Sequence, residues 1–341
     1  MWKIYDFIQK LKYEIKPTSK KLISKQNCRK NVIEIHAYVT PLMMAAKYGM
    51  PETFFTLIQA GADPCFRNNN ISSIAQTMLH FVALNRAENA VEILRWIIER
   101  CPSFVNLPDK FGQTALHIAA LNNNTKISQQ LLVSGASVSL GDWANRTALW
   151  ISARNGNFQT VELLLNWSSD PNHQDSTGKS VLMAAIESGE LATIQLLTRN
   201  GLTNVSLVDH FGRNALMEAA QFGTVPIFDW FLKNGANPNS RDYDGFPVLH
   251  FAITSKNFSD EKIRLLFEQA EVKKQSLKTI WTVNRRKERL DALIDVARFG
   301  TEKSLEIIHS RMNHRPTDQN LSSVLHHAVV SKIDSLSKVN T

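Results

Sequence analysis

DKFGQTALHIAALNN, residues 109–123, is the stretch whose reading decides the fold. It is a tight turn followed by a capped amphipathic helix: Gly112 supplies the backbone freedom a turn needs, and Thr114 can cap the helix that Ala115 and Leu116 begin. The phrase returns along the chain. With its leucine as a marker, the recurrences are Leu42, Leu79, Leu116, Leu149, Leu182, Leu216 and Leu249, separated by 37, 37, 33, 33, 34 and 33 residues. Self-similarity at that period marks a stacked repeat protein, in which each unit can bury its apolar face only against its neighbours.

With 341 residues the chain could make two or three ordinary domains, but the period favours one elongated array. Hydrophobic residues make up 43%, a globular share, and there is no run of 18 apolar residues to cross a membrane. The opening MWKIYDFIQKLKYEIK mixes charges into its apolar residues and lacks the apolar centre of a secretory signal. Cys28, Cys65 and Cys101 are odd in number and show no C-x-x-C spacing, which argues against a disulfide framework and against a zinc site. The expectation is a reducing compartment, cytoplasmic with the nucleus as the alternative.

The net charge of +8 is unevenly placed. Residues 1–30 carry nine Lys/Arg against Asp6 and Glu14, a net of +7, and residues 271–290 carry seven against Glu271 and Glu288, a net of +5. The remainder is 8 − 7 − 5, or −4, so the repeats are mildly acidic and the basic character sits in two segments.

The chain divides into four parts. Residues 1–35 form a basic N-terminal region in which Ile4, Phe7, Ile8, Leu11 and Ile15 fall at helical spacing before Pro17. Such a helix could cover the apolar end of the first repeat, or lie on an anionic membrane surface. Residues 36–270 hold about seven repeats, residues 271–289 a basic insertion, and residues 290–341 further, degenerate repeats. In the last part Leu293 lies 44 residues past Leu249, and SSVLHHAVV at 322–330 opens another copy.

The phrases TPLMMAAKYG, TALHIAALNN, DSTGKSVLMAAIESG, DHFGRNALMEAAQFG and NGANPNSRDYDGFPVLHFA resemble ankyrin repeats, whose pattern is a hairpin finger, a helix opened by T-P-L-H and a second helix ended by L-L-x-x-G-A. The resemblance covers about residues 40–270. It implies an all-α ankyrin-repeat solenoid of helix pairs with short β-hairpin fingers, and a protein-binding role. Within that pattern His80, His117 and His250 occupy the capping position, where the imidazole bonds the hairpin and the neighbouring repeat. Met43, Trp150, Met183 and Met217 replace the histidine elsewhere, trading a hydrogen bond for apolar packing. The finger between Cys65 and Thr77 carries about four extra residues.

No G-x-x-x-x-G-K-[ST], G-x-G-x-x-G, G-x-S-x-G or H-E-x-x-H occurs, and no catalytic residue, cofactor or metal site is expected. Function then falls to exposed positions of the array. At the finger tips the residues after the turn-opening Asp include Phe111, Trp143, Phe211 and Tyr243, rigid aromatic anchors of the type that dominates interfaces. The competing reading packs each ring on its neighbouring finger. On the concave face the variable first-helix positions offer Leu121, Arg154, Glu187 and Phe222, a mixture unlike a phosphate-binding track, so no specific nucleic acid is expected. Partners are expected to be one or more proteins, bound by a monomer. Lys273-Lys274, ten residues, then Arg285-Arg286-Lys287-Glu288-Arg289 has the spacing of a bipartite import signal, with an import receptor as its partner; the competing reading is a solvated helix face. Residues 1–30 add a weak membrane-surface contact as an alternative.

Overall fold

A computed structural model describes residues 40–66, 76–85, 89–199, 201–255 and 259–272, together with Lys303, Ser304 and Ile307. Among these, each copy of the phrase becomes a pair of short helices. The pairs are α1 (Pro41–Lys47) with α2 (Pro51–Gln59), α3 (Met78–Ala83) with α4 (Ala90–Arg100), α5 (Ala115–Leu121) with α6 (Thr125–Val133), α7 (Ala148–Arg154) with α8 (Phe158–Asn166), α9 (Val181–Glu187) with α10 (Leu191–Thr198), α11 (Ala215–Gln221) with α12 (Val225–Lys233), and α13 (Val248–Ile253) with α14 (Ser259–Val272).

The first helices start where a short polar side chain satisfies an orphan amide. Thr40, Ser180 and Asn214 each accept from the amide three residues on, that of Met43, Met183 and Met217, and Thr147 does the same for Trp150. Thr77 and Thr114 add the histidine. Nδ1 of His80 accepts from the Thr77 amide at 3.1 Å while its Nε2 donates to Gln113 O, in the next repeat, at 2.8 Å. His117 does likewise with Thr114 and Arg146 O. These partners require a neutral ring protonated on Nε2, and burial pushes the His117 pKa below its ordinary value, which favours that form.

All seven marker leucines are buried, and alanines follow them on the same helices. The described residues form two compact units: those up to 151 with 162–169, and those of 152–161 with those from 170 on. In the first, α1, α3 and α5 pack in succession, as do α2, α4 and α6; in the second, α9, α11 and α13 pack in succession, and α12 lies against α14. Side chains tie successive repeats through helix-end carbonyls. Asn85 Nδ2 donates to Ala46 O at 3.2 Å in the first unit, and Ser255 Oγ to Gln221 O at 3.0 Å in the second.

One finding overturns an expectation and two refine others. Cys65 and Cys101 form a disulfide with Cα atoms 5.9 Å apart, joining the turn after α2 to the end of α4. The odd cysteine count hid one cross-repeat pair, and such a bond, which persists in oxidising compartments, removes the argument for a reducing one. His250 has Pro247 rather than threonine at its cap position, and its ring stacks on Phe246 at 4.3 Å. The β-hairpins are reduced to isolated antiparallel bridges such as Gly141 with Thr147 and Val208 with Asn214. The expectations for residues 1–35, for most of the long finger, for the basic clusters from Lys273 to Arg289 and for nearly all of 290–341 lie outside the described residues.

Candidate functional site

From residue 109 on, each finger is built on one aspartate. Asp109 Oδ1 accepts from the amides of Phe111 at 2.8 Å and Gln113 at 2.9 Å, and the Asp109 amide donates back to Gln113 O at 2.8 Å. Asp142, Asp175 and Asp209 repeat the arrangement with Arg146, Lys179 and Arg213. The fourth position of the turn needs a left-handed backbone, φ +78° at Gly112 and +55° at Asn145. This local closure turns the two residues after the aspartate outward.

The tip aromatics form two matched pairs, one in each unit. In the first, the Trp143 amide donates to Phe111 O at 3.1 Å; in the second, the Tyr243 amide donates to Phe211 O at 2.9 Å. A Cβ placed on Gly112 would lie 2.7 Å from the Trp143 nitrogen and also strike its ring; one on Gly212 would meet Tyr243 in the same way. The second aromatic of each pair therefore packs over the glycine of the preceding finger. It remains largely in solvent all the same: Trp143 is 77% exposed and Tyr243 72%, and Phe111 and Phe211 are exposed beside them. A cation sits by each phenylalanine, Lys110 Nζ at 5.0 Å from the Phe111 ring and Arg213 Cζ at 4.8 Å from that of Phe211. Both readings of these rings thus apply, with one side against the neighbouring finger and most of the surface free of protein contact.

On the first-helix side of the second unit, three of the four sequence candidates come together. Arg154 Nε donates to Glu187 Oε2 at 2.8 Å, and the other oxygen of Glu187 takes Lys179 Nζ. Lys179 also pairs with Glu218 Oε1 at 2.5 Å and lies 5.7 Å from the Phe222 ring. Burial works against the Lys179 charge, but Glu218 and Glu187 outweigh it and hold the amine above its ordinary pKa. Burial would also raise Glu187, yet Lys179 and Arg154 bring it below. Glu218, 2% exposed, is pushed up by burial, which Lys179 offsets only in part. Phe222 closes the cluster as an exposed ring. Leu121, exposed at the end of α5, lies in the other unit.

Lys179 and Glu218 were missed from the sequence, although a signal existed. Glu218 follows Met217 in a column that holds Ile118, Ile151, Ala184 and Phe251 in other repeats, and an acid in an apolar column needs a cation near it. Among the described residues no group of three His, Cys, Asp or Glu is placed to hold a metal ion, and no helix is long and apolar enough to cross a membrane.

Stacked helix pairs that present pre-ordered side chains on two surfaces, fingers and first helices, define a repeat protein built for recognition. The model of the family "Ankyrin repeats (3 copies)" matches residues 42–142, 79–175, 130–204, 149–242 and 182–276, and the chain belongs to that family. A similar solved structure is the ankyrin repeat domain of Bcl-3, described as a unique member of the IkappaB protein family. It is 27% identical, covers 62% of this chain and 92% of that one, and superposes with a TM-score of 0.51. Among curated proteins, the phosphocholine transferase AnkX of Legionella pneumophila subsp. pneumophila is 30% identical over 103 residues. The match takes in 30% of this chain and spans only a tenth of AnkX.

Proposed function

We propose that the protein is a non-catalytic binding module, an adaptor or regulator that holds a partner protein through its finger tips and first-helix surface. The observation that carries this is the pair of exposed aromatics in each unit, pinned by backbone hydrogen bonds yet 77% exposed at Trp143 and 72% at Tyr243. With the backbone under each ring already fixed and only two side-chain torsions left to order, little entropy is lost when a partner docks, so the apolar area of the rings converts efficiently into affinity. Family membership supports the reading, since such arrays serve as protein-binding surfaces. Against a partner isolated by affinity capture, Trp143→Ala is expected to weaken binding by roughly 1 to 4 kcal/mol while the urea midpoint stays nearly fixed. An equal loss in folding would make the ring structural.

A second reading draws on the likeness to a Legionella pneumophila protein: a microbial effector whose basic segments, residues 1–30 and 273–289, direct it to a membrane surface or a nucleus. It takes no activity from that relative. Binding to anionic vesicles that disappears on deleting residues 1–16, or loss of nuclear signal when Arg285, Arg286 and Lys287 become Ala, supports this reading; neither change leaves the first reading alone.

A further inference from the structure

The second helices of the first two repeats border an open hollow that the reading above does not use. It has a volume of about 320 Å³ and is lined by Phe55 from α2 and by Glu92, Arg95, Trp96 and Glu99 from α4. That volume is at the small end of the range of ligand sites, about 300 to 1,000 Å³. The sequence of α4, AVEILRWIIER, accounts for its wall. Ala90, Ile93, Leu94 and Ile97 are buried, which leaves Glu92, Arg95, Trp96 and Glu99 on the opposite side. The Trp96 ring is held in place by two T-shaped contacts, with Phe54 at 5.6 Å and 86° and with Phe55 at 5.9 Å and 75°.

The face of a fixed indole is an electron-rich surface that attracts cations. The protein already uses it so, because the Arg100 guanidinium carbon lies 3.8 Å from the centre of the Trp96 ring, and Arg100 does not line the hollow. Glu92 and Glu99, two helical turns apart, put carboxylates on both sides of Trp96 along the helix; both are exposed, and Glu99 keeps a loose, solvent-screened contact with Arg100 Nη1 at 3.6 Å. The one cation in the wall, Arg95, is turned to Gln130, its Nε donating to Oε1 at 2.8 Å. The Cys65–Cys101 disulfide, directly after Arg100, ties the end of α4 to the turn that follows α2.

We propose that this hollow binds a methylated ammonium group, with Phe55 and Trp96 packing on its methyls and Glu92 and Glu99 balancing its charge. A methylated cation suits the site better than a bare ammonium, since it is weakly hydrated and meets apolar walls with apolar methyls. The test uses the intact, oxidised chain, with the Trp96 indole N–H resonance assigned through Trp96→Phe. Tetramethylammonium chloride is titrated in, with tert-butanol as the uncharged counterpart and sodium chloride as the ionic-strength control. Saturable movement of that resonance by tetramethylammonium is expected, with tert-butanol binding at least about tenfold more weakly. Glu92→Gln with Glu99→Gln, changes at two exposed positions, is expected to keep the circular dichroism of the wild type and to weaken the cation several-fold. Equal binding of the alcohol, binding undiminished in the double variant, or no saturable movement would each overturn the proposal.

Discussion

Lys262 lies wholly inside the second unit, its Nζ donating to Ala220 O at 2.9 Å and to Ser255 Oγ at 3.1 Å. No carboxylate among the described residues pairs with it, and burial pushes its pKa from 10.5 down to about 8. The unfolded chain therefore binds the proton more tightly between pH 8 and 10.5, so stability should rise with pH across that window, by roughly 3 kcal/mol in all. Below pH 8 the full cost of the buried charge is present. Urea unfolding followed from pH 7.5 to 10.5 should show this slope in the wild type and lose it in Lys262→Met; parallel slopes would show that Lys262 does not titrate in this range. Nothing in the chain's pattern warns of this residue, because a lysine at a periodic position of a helix reads as a solvated face. What draws it inward is the carbonyl of Ala220, which occupies the same place in its repeat as Ala46, where Asn85 supplies the donor. Trp143 was more legible. Its exposure followed from its position after a turn-opening aspartate, whereas its packing over Gly112 depends on the spacing of two fingers, which no single repeat encodes.

At the scale of elements, the helices could be read because each start carries its own chemistry: threonine, serine or asparagine at the cap and a marker leucine two residues on. Even the replacement of the histidine by Met43, Met183 and Met217 was foreseeable, and the structure buries all three. His250 shows the limit, since Pro247 offers the helix no side-chain acceptor, and the stacking of the imidazole on Phe246 is not written in the cap pattern. The disulfide was not legible at all. Counting cysteines cannot reveal that the turn after α2 and the end of α4 meet one repeat apart. Closing a separation of 36 residues restricts the unfolded chain and stabilises the fold by roughly 3 to 4 kcal/mol at most. Denaturation monitored at Trp96, on the helix that ends at Cys101, should therefore shift to lower urea under dithiothreitol, and Cys65→Ala with Cys101→Ala should shift likewise and no longer respond to reductant. A wild-type midpoint that ignores reductant would mean that the bond adds nothing to the first unit.

For the whole molecule, the period of the marker leucines was enough to reach a stacked array, because a repeat that cannot bury its own face dictates a stack, and the wording of the repeated phrases carried the resemblance to the family. The candidate site was legible only in part. Position alone exposed the tip aromatics, while the pairing of Phe111 with Trp143 and of Phe211 with Tyr243, and the charge cluster around Lys179, arise between repeats. The proposed function rests on those surfaces being the part of the chain that partners meet. The most direct measurement is affinity capture from cell lysate with the intact chain beside the Trp143→Ala, Phe211→Ala double variant, each bound set identified by mass spectrometry. The expected result is a protein held by the intact chain and lost from a double variant that still unfolds at the same urea concentration. Identical captures from the two would contradict a finger interface and leave the first-helix surface and the basic segments as the places where binding occurs.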